Sequence, residues 1–424
     1  MQYAIYRVAA ASVAQATDEL ERNGVQWLRF GDDYFCCAAP STDWNGLRTS
    51  SIGSSLETRE SEGVLLYLVT QEGRSFQQAH PDIPVLFDRG RHIVVSLDRP
   101  QADRISDHKA RFSIRLATGN AVVFETLTRP IAPLAADPRI KSITDSISPS
   151  DFSATLAQLV NHPTRHSLTS HFREAAQLCR DRLQSCGYEV TLQDVQISGA
   201  RTLNIIADKA GSGSQPRSVA MVCAHLDSIN QPNPLLPADP GAPAPGADDN
   251  GSGSAGLLEI ARVLKDQSIM QDLRLILFGG EEQGLLGSTH YVDQLPASEC
   301  ARISSVVNMD MIAVLNNTRG PTVLLEGGDP VSRRMVEGLT AAAHAYTQLT
   351  VKTSFRPHDS DHVPFIDKGV PAVLTIEGND KGNESIHTED DTLVHIDRDL
   401  PIEILRMNAA FVAAELGLQT ALVG

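Results

Sequence analysis

No apolar run in the 424 residues approaches the 18 or so needed to cross a bilayer, which excludes a membrane-spanning protein. Positive charge is also short. Lys and Arg number 36 against 52 Asp and Glu, a net charge of −16. A surface of that sign repels phosphate backbones and anionic lipid, so nucleic acid and membrane are excluded as partners. Cysteine is scarce, with six in the chain, too few for a disulfide scaffold of this length. No C-x-x-C occurs, which removes a thiolate zinc site. Cys36 and Cys37 are adjacent and cannot easily pair, and Cys179 and Cys186 lie two helical turns apart, beyond disulfide reach within one helix. Residues 1–8 read as a strand rather than as a charged-then-apolar export signal, and the compartment stays open, a secreted or periplasmic one included.

What is present is an ordinary globular composition, 42% hydrophobic and 21% charged, with room for two domains. Residues 1–130 read as a small α+β accessory domain or pro-region, with strands at 3–8, 25–39, 92–97 and 110–116 and helices at 12–23 and 100–109. Three prolines between 126 and 138 mark a linker, placed at 131–148. From 149 to 424 strands and helices alternate, which implies a mostly parallel mixed sheet sandwiched by helices. The strands are read at 201–207, 218–224, 273–278, 303–309 and 370–376. The segment 218–224 is so apolar that both its faces must be covered. Six prolines between 231 and 247 make a surface loop.

Ligands of such sheets bind beyond the carboxyl ends of the strands, and acids and histidines gather there. Strand 218–224 runs into His225-Leu226-Asp227. The proline-rich loop ends in Gly246-Ala247-Asp248-Asp249-Asn250-Gly251-Ser252-Gly253 before a helix. Strand 273–278 ends in Gly279-Gly280-Glu281-Glu282, strand 303–309 in Asp310, and His387-Thr388-Glu389-Asp390-Asp391-Thr392 follows the last strand. Taken singly each has an ordinary reading, as a satisfied loop histidine, an Asx turn, or a helix start with favourable dipole charge. Together they crowd carboxylates that are costly to bury unless cations compensate. Two histidines and several carboxylates suit zinc. A pair of ions about 3.5–4 Å apart makes a hydrolytic site, with one of Glu281 and Glu282 as ligand and the other as base. His162, His166 and His171 read as groups on solvated helix faces, as do His290 and His344. Cys223 reads as a small core residue.

These motifs, with Ser360-Asp361-His362 added, occur in an order that resembles the bacterial dizinc leucine aminopeptidase family, whose more distant relatives include glutamate carboxypeptidase II and glutaminyl cyclases. The resemblance runs from Pro149 to the C-terminus. It implies two zinc ions per chain, His225 and Asp310 on one, Glu282 and His387 on the other, and Asp248 bridging them. Glu281 is then the general base. Asp227, hydrogen-bonded to the far nitrogen of His225, and Asp249, joined to Asp248 by a cis peptide bond, support the ligands. The implied substrates are peptides with a free N-terminus. Arg356, His358 and His362 are the expected pocket-side residues, although the stretch 355–359 lacks the cysteine that several relatives place there. Glutaminyl cyclases generally carry a tryptophan just before the final histidine. Ile386 stands in that place here, and both tryptophans, Trp27 and Trp44, lie in the N-terminal block. A lid domain, as in related amidohydrolases, does not fit between Asp310 and His387. A binding-only relative is disfavoured because all the expected ligands and the base are present.

Overall fold

A computed structural model describes residues 2–7, 13–38, 55–60, 65–106, 111–127, 135–197, 199–316 and 320–419. Trp44 and residues 128–134 of the expected linker region lie outside them. The chain divides into two compact units, one of residues 1–127 with 352–358, the other of 128–351 with 359–424.

The first unit holds β1 (Gln2–Arg7), β2 (Gln26–Phe30), β3 (Asp33–Ala38), β4 (Ser55–Glu60), β5 (Leu65–Gln71), β6 (Val85–Arg89), β7 (His92–Leu97), β8 (Phe112–Leu116) and β9 (Ala121–Leu127), with helices Val13–Arg22, Ser75–Ala79 and Arg99–Ser106. Strands β9-β2-β3-β1-β4 are neighbours in one sheet and β6-β7-β5-β8 form another. Alternating apolar residues of β5 and β7 serve two cores: Leu66, Leu68 and Val94 pack with Phe30, Phe35 and Phe87, while Tyr67, Val69, Ile93 and Val95 pack with Phe76 and Phe112. That alternation is the two-residue period of a strand buried on both faces.

The second unit contains β10 (Glu189–Ile197), β11 (Ala200–Lys209), β12 (Val219–His225), β13 (Asp272–Phe278), β14 (Ile303–Met309), β15 (Thr322–Gly327) and β17 (Ala372–Glu377); β16 (Thr350–Ser354) straddles the division. The order is β10-β11-β13-β12-β14-β17-β15. The central four, β13-β12-β14-β17, are parallel, and the flanking pairs β10/β11, β11/β13 and β15/β17 are antiparallel. All seven residues of β12 are buried. Each large aliphatic side chain so covered contributes about 1.5–3 kcal/mol, and helices on both faces supply the cover. Helix Leu400–Leu416, apolar nearly all round, packs on β12 and β14 and on helices Gly253–Leu264 and Arg333–Tyr346. On the other face Phe278, Tyr291 and Phe365 join Met221, Cys223 and Ile276 in one cluster. Cys223 is thus the core residue expected, and all six cysteines are free.

The expected linker 131–148 departs from the structure. Asp137 caps, and Pro138 opens, a helix Pro138–Asp145 that buries Ile140 and Ile143 against helix Leu400–Leu416. Proline at the first helical position starts a helix without losing a hydrogen bond, so that proline marks an element and not a spacer.

Candidate metal centre

Parallel β12, β13 and β14 end side by side, and their last residues deliver His225, Glu281–Glu282 and Asp310 to one place. The turn Ala247–Ser252 comes in beside them. It is entered through Gly246 at φ 54°, where a Cβ would lie 2.4 Å from the Asp249 carbonyl oxygen and 2.5 Å from Ser228 Cβ; only glycine fits. Inside the turn Asp249 and Asn250 leave the helical region, with φ/ψ of −102°/99° and −118°/49°. The cis peptide bond stands at Asp249–Asn250, one residue beyond the place the resemblance implied.

That geometry sends two adjacent carboxylates in opposite directions. Asp249 turns toward the histidines, its Oδ1 3.4 Å from His225 Nε2 and its Oδ2 2.8 Å from His387 Nε2. Asp248 turns the other way and is held there. Its Oδ1 accepts from Ala313 N at 2.8 Å and its Oδ2 from Asn383 Nδ2 at 2.9 Å. It is therefore Asp249, and not the expected Asp248, that faces both histidines, with Asp248 behind it. A carboxylate whose two oxygens are each turned toward an N–H donor faces away from the histidines and is poorly placed to share a cation with them.

The remaining groups fall around Asp249. His225 Nε2 lies 3.2 Å from Asp310 Oδ1 and 4.0 Å from Glu281 Oε2. His387 Nε2 lies 3.3 Å from Glu282 Oε2. His387 holds φ 56°, a left-handed conformation that costs a non-glycine residue about 1–2 kcal/mol and aims its ring inward. Asp310 Oδ2 accepts from Ser360 Oγ at 2.6 Å, which leaves Oδ1 toward His225. All these side chains are buried.

Behind them is a second layer. Asp227 does not meet His225 as expected: Nδ1 lies 3.1 Å from the Asp227 carbonyl oxygen and 3.6 Å from its carboxylate. The carboxylate instead accepts from the amides of Glu281 at 3.4 Å and Glu282 at 3.3 Å. Asp391 likewise accepts from the amides of Asp248 and Asp249, each at 2.9 Å. Glu377 accepts from Val314 N at 2.8 Å and Asn316 Nδ2 at 3.1 Å. Arg165, fully buried, donates to the carbonyls of Leu226 at 2.9 Å and Gly246 at 2.7 Å. Asp391, Glu377, Asn383 and Arg165 had no assigned role in the sequence reading. Asp391 sits inside a recognised motif, whereas Arg165 is a lone cation between two histidines and carries no pattern.

His362 heads the helix His362–Asp367 and, fully buried, has Nε2 3.7 Å from Glu326 Oε1 of β15. Arg356 and His358 fall in the segment 352–358 of the first unit, where the His358 carbonyl accepts from Arg91 Nη2 at 2.8 Å.

The electrostatics reflect acids crowded around buried imidazoles. Burial opposes a charged His225, yet the carboxylates of Glu281 and Asp310, with those of Asp227 and Asp249 close by, push its pKa well above the usual value. Asp249 is driven down despite burial by His387 and His225. Glu281 is raised well above the carboxylate range by burial, against the pull of His225, with Glu282, Asp361 and Asp310 adding to the rise. Two imidazole nitrogens and carboxylates of Asp249, Glu282 and Asp310, with His225 Nδ1 already engaged so that Nε2 is the free donor, are a nitrogen and oxygen set suited to zinc.

Helix-covered parallel strands with histidines and acids at their ends define the zinc-exopeptidase type of fold. Residues 204–412 match the model of Peptidase family M28. Leupeptin-inactivating enzyme 1 of Streptomyces exfoliatus is 34% identical over 211 residues, 49% of this chain and 43% of the relative. Aminopeptidase YwaD of Bacillus subtilis is 32% identical over 216 residues, 50% of this chain and 44% of the relative. The match thus spans less than half the length of either. The solved structure of BSAP, a zinc aminopeptidase from Bacillus subtilis, superposes with a TM-score of 0.57 at 19% identity, covering 64% of this chain and 96% of that one.

Proposed function

We propose that this chain is a zinc-dependent aminopeptidase that removes N-terminal residues from peptides, with two zinc ions bridged by Asp249. One observation carries the reading: the two oxygens of a single buried carboxylate face two different histidines, at 3.4 and 2.8 Å. His225 and Asp310 then hold one ion, His387 and Glu282 the other. When bound, the ions polarise the scissile carbonyl and acidify the attacking water. Glu281 is set back from His225, at 4.0 Å against 3.2 and 3.4 Å for Asp310 and Asp249. It is the base that takes the proton from water and returns it to the leaving amine. Its raised proton affinity suits both halves of that transfer. The carboxylate-rich pocket attracts a free α-amino group, which favours exopeptidase action. Asp227 and Asp391 act through the backbone, each gripping two successive amides so that Glu281–Glu282 and Asp248–Asp249 keep their directions.

The names of YwaD and BSAP, and the family match, support the activity. A panel of aminoacyl nitroanilides, run beside an N-terminal glutamine cyclisation assay and metal analysis, tests it. The expected result is zinc-dependent release of nitroaniline without cyclisation. Cyclisation alone, or hydrolysis unaffected by chelators, contradicts the reading.

A further inference from the structure

We propose a further divalent-metal site, for zinc or a similar nitrogen-seeking cation, formed by His162, His171 and Glu174 at the corner between helices Pro149–Val160 and Ser170–Ser185. His162 lies just beyond the end of the first helix, and His171 and Glu174 lie one turn apart on the second. Residues three apart share a helix face, so the loop between the helices folds His162 back onto a ready-made pair. The sequence reading as solvated helix faces separates these histidines; the structure brings them together.

The spacing is that of a ligand set. Glu174 Oε2 lies 3.3 Å from His171 Nδ1 and 3.7 Å from His162 Nδ1, and the ring centroids are 6.2 Å apart. One donor atom from each residue lies within 4.8 Å of the others. Two donors about 2.0–2.1 Å from a tetrahedral zinc are about 3.3–3.4 Å apart, close to both observed separations. At 3.7 Å the His162 contact is too long for a hydrogen bond, and a shared cation accounts for both rings facing one oxygen. Two imidazoles and one carboxylate leave a coordination position open. A surface cleft of about 470 Å³, lined by His162 and Glu174 with Ala157, Gln158, Asn161 and Leu178, gives water access to it.

Position suggests what the ion does. It would close the loop 162–171, whose buried Arg165 holds the carbonyls of Leu226 and Gly246 at the entrances to the Asp227 and Asp249 turns. The site is therefore a clip on the segment that supports the metal centre, and it performs no chemistry itself.

Metal-stripped full-length protein, dialysed against Zn²⁺ and counted by mass spectrometry, tests this beside His171→Ala and Glu174→Gln. Both substituted side chains are partly exposed, at 40% and 59%, so folding is retained; should His171→Ala fail to fold, Glu174→Gln carries the same test. The wild type is expected to bind one ion more per chain than either variant, and Zn²⁺ is expected to raise its unfolding temperature further. Aminoacyl hydrolysis by the loaded variants is expected to match wild type. Equal metal counts in all three proteins overturn the proposal. The measured quantity is a difference, so it stands or falls separately from the number of ions held at His225 and His387.

Discussion

The carboxylates at the strand ends fall into two layers that differ in one respect, the donors they face. In the front layer Asp249, Glu282 and the Oδ1 of Asp310 look at imidazole nitrogens. In the rear layer Asp227, Asp248, Glu377 and Asp391 take backbone amides and side-chain amide groups. Acids of the second kind are satisfied by neutral dipoles and position the chain; acids of the first kind call for a cation. Residue type is the same in both layers, so the direction of the backbone, set within the turn Ala247–Ser252, decides which aspartate does which work.

The largest effect that tests this division is at Glu281. Glu281→Gln keeps size and hydrogen bonding but removes the proposed base, and is expected to lower kcat by about 10²–10⁴-fold with zinc content unchanged; steady-state rates and metal counts on the same sample check it. The neighbouring pair Asp248 and Asp249 breaks the comparison if they behave alike. Asp249→Asn is expected to lose zinc and activity together, whereas Asp248→Asn keeps both and loses about 1–3 kcal/mol of stability through its buried network, read by denaturant titration. Asp391→Asn weakens the grip on the amides of Asp248 and Asp249, with an expected fall of about 10–100-fold in metal affinity, measured by competition with a chelating dye.

The smallest effect is a pH dependence. Burial first, then Asp391, raises Asp248 from the ordinary 3.8 to about 8. The folded protein therefore holds a proton that the unfolded chain has released between about pH 4 and 8, and stability falls as pH rises through that window. Calorimetry is expected to show a shallower fall of Tm with pH in Asp248→Asn than in wild type; equal slopes would remove Asp248 as the source.

Much of this was legible in the amino acids. The apolar run ending at His225 could only be a doubly covered strand, and strand 303–309 falls where the sequence placed it. β10 escaped notice because it is an edge strand with five of nine residues exposed, so its pattern is polar. The helix at Pro138 was hidden by reading proline as a break. At the site, the set of acids and histidines was visible in order, but an Asp-Asp pair does not announce which member turns inward. That follows from the φ/ψ of Asp249 and Asn250 and from Asn383 and Ala313, distant in sequence, which hold Asp248 back. Arg165 was invisible because its partners are carbonyl oxygens, which every residue carries.

Crystals grown with zinc and measured at the zinc absorption edge test the central claim most directly. Two anomalous peaks are predicted in contact with the Asp249 carboxylate, one beside His225 and Asp310, the other beside His387 and Glu282, with Asp248 touching neither. Peaks coordinated by Asp248, or no peak between the two histidines, would contradict it.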